Sequence, residues 1–402
     1  MGQHRGQPPP GHRGRPRRDH AAVPVTPADG TQKSTAVRGS QDGKSRGART
    51  VSAARLEDHC TAILTGAGLP ETDATIVAAS LVDANLRGVH SHGVSRIPIY
   101  VDRLRRGLVN TDPHVTIIRE TGGALVVDGD NGMGQVIMQR SLDLARARIP
   151  EHRTVSVAVR NSTHYGSGAY FAKQAAASGS AIFLYGNAPA TMAAFGGKER
   201  FLGTNPYTFA VPAGARGTLV LDMATSVVAR GKIISAAQAG ESIPEGWAVD
   251  PEGTPTTDAD AALAGSVLPF GGPKGYGIAV MVEVMAAMFS GASSGTEIGD
   301  LYDDLDRPQG VGAFFTLHDI EAFVPPEQFA RRMEWLYDAL KNSGPADGEV
   351  LLPGEVEERT AHRQAIEGIA IPAAVAAQLE DLHPESEALQ HPTDGTPRKQ
   401  ER

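Results

Sequence analysis

The sequence predicts a mixed α/β (α+β) protein in which helices and strands occupy separate stretches of the chain. Over residues 51–106, apolar residues recur every three or four positions, which indicates amphipathic helices. From Val115 onward the pattern changes to short β-branched runs separated by turns rich in Gly and Asp, which indicates strands. Residues 277–289 are apolar on most sides and predict a buried helix.

Individual elements follow from the same patterns. Before the strands, helices are expected over residues 51–66, 72–86 and 91–106, the last ending at Gly107. Strands are expected over residues 115–119, 124–128, 155–159, 181–185, 207–211 and 218–222. Between and after the strands, helices are expected over residues 134–147, 166–178 and 277–289.

Composition limits the classes of protein that remain. The chain has 402 residues, a formal net charge of -8 and 41% hydrophobic residues. This length and apolar content suffice for two domains, and the acidic balance argues against a nucleic-acid partner. No apolar run is long enough to span a bilayer, so no membrane partner is expected. A single cysteine, Cys60, cannot form an internal disulfide and favours a cytoplasmic location.

Both ends of the chain differ from the rest. Residues 1–50 are rich in Arg, Gly and Pro, and residues 383–402 are polar, so both are predicted to be disordered tails. The basic N-terminal tail leaves one alternative from another class, a nucleic-acid-associated protein. Deleting residues 1–50 would abolish binding in that case and would leave an enzyme active.

A compact set of chemically capable side chains lies near residue 90. Ser91, His92 and Arg96 fall within about one and a half helical turns, so His92 and Arg96 would share a helix face. An imidazole can exchange a proton near neutral pH, and a guanidinium can bind a carboxylate through two hydrogen bonds. The combination suits a small hydroxy or oxo acid. His90 and His92 could instead hold the metal of a hydrolase, but no third ligand supports this, and no metal is expected.

The glycine fingerprint of Rossmann dehydrogenases, Gly-x-Gly-x-x-Gly after a strand, does not occur in this sequence. Six other short motifs follow one another in order: 91–93, 161–166, 203–206, 221–226, 246–250 and 271–277. This series resembles the malate/L-lactate dehydrogenase family of the non-Rossmann type. That family includes ureidoglycolate dehydrogenase, 2,3-diketogulonate reductase and piperideine-2-carboxylate reductase. The resemblance extends from about residue 51 to about residue 380.

The resemblance implies a dinucleotide-binding fold with a mostly antiparallel central sheet, and NAD or NADP as cofactor. It also implies a helical domain built from both ends of the ordered chain. Residues 51–115 would form its first part, residues 116–265 the sheet domain with the nucleotide site, and residues 266–382 the return. Members of the family dimerise, so a homodimer with the active site near the interface is expected.

The resemblance also implies roles for single residues. Ser91, His92 and Asp222 match a catalytic serine–histidine pair and its aspartate, while His164 competes with His92 as the group that exchanges the proton. The implied substrate contacts are Arg96, which would hold the carboxylate, and Thr204 and Asn205 in a tight turn. Implied cofactor contacts are Asp222, Met223, Ala224, Thr225, Lys274, Gly275, Gly354 and Glu355.

These observations predict an NAD(P)-dependent oxidoreductase acting on a small 2-hydroxy or 2-oxo acid such as malate or lactate. The alternatives within the family are an NADPH-dependent reductase of a cyclic imino acid and a dehydrogenase of the ureidoglycolate type. Residues alone do not choose among these substrates.

Overall fold

The computed structural model describes residues 49–344 and 348–382. The first elements are β1 Arg49–Val51, α1 Ala53–Gly66, α2 Glu71–Leu86 and α3 Ile97–Arg105. Ser52 caps α1 by accepting a hydrogen bond from the backbone N–H of Arg55. Leu56 and Leu81 from these helices share an apolar core with Leu379 near the C-terminus. This helical core therefore joins residues from both ends of the described chain.

The middle of the chain alternates strands with helices. Its elements are β2 Thr116–Thr121, β3 Ala124–Asp128, α4 Gly134–Arg146, α5 Ile149–His152, β4 Thr154–Ser162, α6 Gly168–Ala177, β5 Ser180–Gly186, β6 Met192–Ala193, β7 Arg200–Leu202, β8 Tyr207–Pro212 and β9 Thr218–Met223. All six predicted strands are present, most of them longer by one to four residues.

The remaining elements are α7 Arg230–Ala239, β10 Ala248–Val249, β11 Pro255–Thr256, α8 Ala259–Ala264, β12 Ser266–Val267, α9 Pro273–Glu283, β13 Val311–Asp319, α10 Pro326–Lys341, α11 Glu355–Glu367, β14 Ile369–Ile371 and α12 Ala373–Leu382. A small sheet has the order β11-β10-β12-β6-β7, and β1 pairs with β14.

The central sheet has seven strands in the order β2-β3-β4-β13-β5-β8-β9. Within it β3 and β4 run parallel, and every other neighbouring pair is antiparallel. The mostly antiparallel, non-Rossmann sheet is thus confirmed. Helices α4 and α6 contribute Leu142 and Phe171 to a core that also contains Val157 and Phe315 from the sheet.

One strand of the central sheet was not predicted, and it corrects the expected course of residues 266–382. Residues 266–382 were expected to return to the helical domain, but Val311–Asp319 forms β13 near the middle of the central sheet. The first five residues of β13 are all buried, because it has strands on both sides and is covered on both faces. Such a strand lacks the apolar–polar alternation by which strands are found in a sequence.

The helix expected over residues 91–106 is interrupted. Residues 90–92 and 94–96 form two separate 3₁₀ turns, and Gly93 between them is extended, with φ -95° and ψ -156°. The Asn85 side chain causes the break, because its Oδ1 accepts from the backbone N–H of Val94 at 2.7 Å. A Cβ on Gly93 would lie 1.9 Å from that oxygen, so only glycine fits.

The helix expected over residues 277–289 begins earlier, at Pro273, and continues beyond α9 as a π-helical turn, Val284–Met288. Its prediction as a fully buried helix is wrong for the single chain. Met281, Val284, Met288 and Phe289 are 42%, 41%, 59% and 58% exposed. We call these four residues the α9 apolar stripe.

The predicted tails lie almost wholly outside the described residues. The exceptions are Arg49 and Thr50, which were assigned to the N-terminal tail but pair with Ile371 and Ala370 as part of β1. Across the described ranges, no helix is long and apolar enough to cross a membrane.

A pair of glycines in α9 yields a stability prediction. A Cβ on Gly275 would lie 2.0 Å from the Phe270 carbonyl oxygen, whereas a Cβ on Gly277 meets nothing within 4 Å. We expect Gly275→Ala to destabilise the protein by about 1–3 kcal/mol through this clash. The matched control Gly277→Ala should be neutral or stabilising by about 0.5–1 kcal/mol, since alanine is the better helix former. Urea unfolding measures both, and equal effects of the two substitutions would contradict the packing argument.

Candidate active site

Two imidazoles form the centre of the site. The ring centroids of His92 and His164 lie 5.6 Å apart with an interplanar angle of 24°. His92 comes from the first 3₁₀ turn before α3, and His164 from the loop between β4 and α6. The two histidines predicted as rivals for one role are therefore neighbours, and both can act on one substrate.

The loop that carries His164 is fixed by the start of α4. The backbone N–H of Gly134 donates to Thr163 Oγ1 at 2.9 Å, and Thr163 Oγ1 donates to the Gly132 carbonyl. A Cβ on Gly134 would lie 2.3 Å from the Thr163 carbonyl oxygen, so this close approach requires glycine. The Gln309 side chain also accepts from the backbone N–H of His164 at 3.1 Å. These contacts hold the position of His164 without using its ring.

A buried tyrosine contacts the His164 ring. Tyr100 Oη lies 2.6 Å from His164 Nδ1, and Gln135 Nε2 donates to the same hydroxyl at 3.1 Å. Tyr100 is on α3 and Gln135 is in the first turn of α4, so helices from two parts of the fold meet at this ring.

Ser91 and Arg96 are positioned around His92. Ser91 Oγ lies 3.0 Å from His92 Nδ1, and the Ser91 carbonyl accepts from Arg96 Nε at 2.7 Å. Arg96 also donates to the Tyr302 hydroxyl, with its guanidinium carbon 5.4 Å from the centre of the Tyr302 ring. These contacts restrict the orientation of the Arg96 guanidinium before any substrate binds.

The charge of Arg96 and the surrounding protein keep both imidazoles neutral. Desolvation by burial lowers the pKa of His92 to about 4, with Arg96 adding to the decrease and Asp222 opposing it. Desolvation, Arg96 and then His92 hold the pKa of His164 well below its usual value. Because a lowered pKa means loss of the proton at a lower pH, both rings carry an available lone pair at neutral pH.

Asp222 lies at the end of β9, and its carboxylate is bound by neighbours other than His92. Oδ2 accepts from Ser167 Oγ at 2.8 Å and from the backbone N–H of Ala169 at 2.9 Å, while Oδ1 accepts from Thr208 Oγ1 at 2.8 Å. Asp222 thus acts on His92 through charge, without a hydrogen bond between the two side chains.

The residues after Asp222 fold back onto the turn at residue 204. Thr225 is fully buried, and both its backbone N–H and its Oγ1 donate to the Thr204 carbonyl, at 2.9 and 3.0 Å. Met223 Sδ accepts from the Tyr207 hydroxyl at 3.3 Å, and Ala224 is half-buried. Within this stretch, Met223 and Ala224 keep surface open to a ligand, whereas Thr225 does not.

Asn205 does not have the geometry of a substrate contact. Its side chain is fully buried, and Nδ2 donates to the Ala279 carbonyl at 3.1 Å and to Glu283 Oε2 at 2.7 Å. Its Oδ1 accepts from the backbone N–H of Ala188 at 3.3 Å, and its φ is 30°. Because both amide protons are already used, we correct the predicted role: Asn205 ties the turn to α9.

Lys274 and Gly275 separate in the structure. Lys274 is exposed in the first turn of α9, and no described residue forms an ion pair with it. Gly275 is buried, and its backbone N–H already donates to the Phe270 carbonyl at 3.0 Å. The charge of Lys274 near a helix N-terminus suits a phosphate. The glycine at 275 is explained by packing against Phe270 rather than by an approach of the pyrophosphate.

Gly354 and Glu355 lie where α11 begins. A Cβ on Gly354 would lie 2.8 Å from the Val220 carbonyl oxygen, which places the start of α11 against β9. Glu355 accepts from Lys341 Nζ at 2.5 Å and from the backbone N–H of Leu352 at 2.9 Å. The carboxylate of Glu355 thus holds its own loop.

No group of three His, Cys, Asp or Glu side chains with metal-binding geometry occurs among the residues that the structure describes. Nδ1 of the His90 ring lies 3.0 Å from Nδ2 of Asn85. It is therefore held by the same asparagine that interrupts the helix.

Three side chains of the site were not singled out by sequence reasoning. Tyr100 follows Arg96 by four residues, so helical spacing could have identified it. Gln135 and Tyr302 carry no such signal, because they approach the site from distant parts of the chain.

Comparison with known proteins identifies the family of this chain. The sequence pattern of the malate/L-lactate dehydrogenase family matches residues 51–380. L-sulfolactate dehydrogenase of Methanocaldococcus jannaschii is 40% identical over 316 residues, which is 78% of this chain and 91% of that protein. Malate dehydrogenase of Pyrococcus horikoshii is 38% identical over 338 residues, or 82% and 93% of the two chains. A solved structure of the M. jannaschii sulfolactate dehydrogenase superposes with a TM-score of 0.79 at 38% identity, covering 84% of this chain and 97% of that one.

The chain therefore belongs to the malate/L-lactate dehydrogenase family, a class of oxidoreductases with a non-Rossmann fold.

The neutral histidines lead to a prediction that does not depend on the substrate. A free imidazole titrates near pH 6.5, so an unperturbed His92 or His164 would gain its proton between about pH 7.5 and 5.5. Since burial and Arg96 lower both pKa values, we expect neither ring to titrate in that interval. NMR titration of ¹⁵N-labelled histidines, with His92→Gln and His164→Gln used for assignment, measures this. A midpoint above about 6 for either ring would refute it.

Proposed function

We propose that this chain is an NAD(P)-dependent dehydrogenase of a small 2-hydroxy acid such as malate or lactate, which reduces the 2-oxo acid in the reverse direction. The observation that carries the proposal is the pair of neutral imidazoles, His92 and His164, beside the guanidinium of Arg96. Oxidation of an alcohol next to a carboxylate needs a base for the hydroxyl proton and a cation for the carboxylate. Membership of the family supports the same reaction.

Three residues, Met223, Ala224 and Lys274, have positions and charge that suit a bound dinucleotide. Met223 and Ala224 would line its site at the end of β9, and Lys274 would hold a phosphate. When bound, the nicotinamide accepts a hydride from the substrate α-carbon and returns it in the reverse reaction. NAD and NADP both remain within the proposal.

His92 takes the hydroxyl proton in this scheme. Its ring is neutral at pH 7, so a nitrogen lone pair is available without prior loss of a proton. Ser91, at 3.0 Å from Nδ1, orients the ring so that Nε2 can face the substrate. Arg96 binds the carboxylate through its remaining N–H groups, since Nε is already bound to the Ser91 carbonyl.

Ureidoglycolate and cyclic imino acids are the alternative substrates. The malate and sulfolactate named for the two relatives are both 2-hydroxy acids with a second negative group, and this favours the hydroxy-acid reading. We also propose a cytoplasmic location. It is supported by cysteine content, since the one cysteine of the sequence, Cys60, cannot form an internal disulfide.

A panel assay tests the proposal. The purified chain is given NAD⁺ or NADP⁺ with lactate, malate, 3-sulfolactate or ureidoglycolate, and NADH or NADPH with the matching 2-oxo acids and a cyclic imino acid. We expect turnover with lactate, malate or 3-sulfolactate, followed by nicotinamide absorbance, and loss of that turnover with the methyl ester of the same acid. Activity only with the cyclic imino acid or ureidoglycolate would support those alternatives, and no activity with any pair would refute the proposal.

Arg96 gives the sharpest test of how the carboxylate is held. An ammonium cannot reproduce the planar two-pronged contact, so Arg96→Lys should raise the substrate KM by roughly tenfold or more. The KM for the dinucleotide should change little. Arg105→Lys is the control, because Arg105 is exposed at the end of α3 and contacts no part of the site. An unchanged KM for Arg96→Lys would show that another group anchors the carboxylate.

We further propose that two copies of the chain form a homodimer through the α9 apolar stripe, Met281, Val284, Met288 and Phe289. Exposed apolar side chains at helical spacing favour burial against a partner, and a two-fold contact is the commonest arrangement. Light scattering at low micromolar concentration should give a dimer, and Met288→Glu should give a monomer. The control Ile366→Glu also places a charge on an exposed apolar residue, 75% exposed, and should stay dimeric. A fully active monomeric wild type would refute the interface.

A further inference from the structure

A buried hydrogen-bond chain ends at His164. Gln135 Nε2 donates to Tyr100 Oη at 3.1 Å, and Tyr100 Oη lies 2.6 Å from His164 Nδ1. The side chain of Gln135 is 0% exposed and that of Tyr100 is 3% exposed, so water does not compete for these groups.

The direction of the chain follows from the orientation of the Gln135 amide, which presents Nε2 to the Tyr100 hydroxyl. That hydroxyl has one proton and already accepts a hydrogen bond from Gln135. With the amide in this orientation, a proton on His164 Nδ1 that was donated to the hydroxyl would leave the hydroxyl proton facing another donor. An unsatisfied buried donor costs about 1–3 kcal/mol. The satisfied arrangement is therefore Gln135 to Tyr100 to His164 Nδ1, in which the hydroxyl both accepts and donates.

From this geometry we infer that Gln135 is a positioning residue that fixes the tautomer of His164, so that the ring presents Nε2–H to the substrate. The inference rests on the proposed function and assigns different roles to the two histidines, His92 and His164. With Nδ1 accepting from Tyr100, His164 has no free lone pair on Nε2 and donates a hydrogen bond to the substrate oxygen. His92 is then the ring that exchanges the proton.

The amide of Gln135 also shows how the direction could be reversed. Its Oε1 is buried and has no hydrogen-bond partner among the described residues. An acceptor in place of the Nε2 donor would accept a hydrogen bond from the Tyr100 hydroxyl. The hydroxyl oxygen would then accept one from Nδ1–H of His164. His164 would present a lone pair, instead of a proton, to the substrate oxygen.

Gln135→Glu makes this change with little alteration of shape once its carboxyl is ionised, because a carboxylate only accepts hydrogen bonds. The ¹³C NMR signal of the introduced carboxyl reports that ionisation. Gln139→Glu is the matched control, one turn further along α4, where the side chain bonds Asp143 and Gln174 away from the site. The first readout is ¹⁵N NMR of the histidine rings in the full chain, with His164→Gln assigning the signals. Protonated and unprotonated ring nitrogens are well separated in such spectra.

We expect Nε2–H at His164 in the wild type and in Gln139→Glu, and Nδ1–H in Gln135→Glu. A wild type with Nδ1–H, or a folded and ionised Gln135→Glu with an unchanged tautomer, would overturn the inference. The wild-type spectrum decides it where Gln135→Glu does not fold or keeps its carboxyl protonated.

Kinetics separates positioning from folding. In Gln135→Glu, His164 would face the developing oxyanion with a lone pair in place of its Nε2–H. The kcat for reduction of the 2-oxo acid should therefore fall about 10²-fold. The KM for the dinucleotide should stay unchanged, and Gln139→Glu should behave as the wild type. Unchanged kcat despite a switched tautomer would overturn the role assigned to His164. The NMR result does not require turnover, so failure of the proposed function and failure of this inference are distinguishable.

Discussion

The hydrogen bond between Tyr100 and His164 connects the two main cores of the protein. Tyr100 belongs to the helical core, which combines residues from both ends of the described chain. His164 follows β4, a strand of the central sheet. The distance between His92 and His164 depends on this contact, because His92 precedes α3 by only one short turn. A shift of the helices relative to the sheet would therefore separate the two imidazoles, and the remaining site contacts would follow.

A second set of hydrogen bonds, made by Arg103, helps to fix the orientation of Arg96. Arg103 is 1% exposed, and its guanidinium donates to the carbonyls of Asp304 at 2.7 Å and Arg307 at 3.0 Å. These bonds hold the loop that brings Tyr302 to Arg96. A buried arginine bonded mainly to backbone carbonyls keeps its charge without a carboxylate partner, and its donors are largely satisfied. The orientation of the proposed carboxylate anchor is thus determined twice, directly through Ser91 in the turn before α3 and indirectly through Arg103 on α3.

The sequence predicted the fold class and singled out residues at the centre of the candidate site, but it missed several elements. His92, Arg96 and His164 were singled out by residue type and by motif order, and the structure brings them together. The central strand β13 was missed because both of its faces are buried, which removes the alternation that marks a strand. The helix over residues 91–106 was predicted as continuous because its periodicity is helical. The side chain of Asn85, six or more residues earlier, intervenes, and no local pattern reports such a contact. Gln135 was missed for a similar reason, since its importance comes only from Tyr100.

The same guanidinium that would bind the substrate also contributes to the neutral state of both histidines. Burial is the larger cause of the lowered pKa values of His92 and His164, and the charge of Arg96 adds to it. A bound carboxylate would offset that positive charge, so both pKa values would rise in the complex. The free enzyme would then offer a base, as oxidation requires. Reduction requires a protonated His92, and a bound oxo acid would favour that state through its own charge. Arg96 would in this way couple substrate binding to proton availability, and a single cation would serve both directions of one reaction.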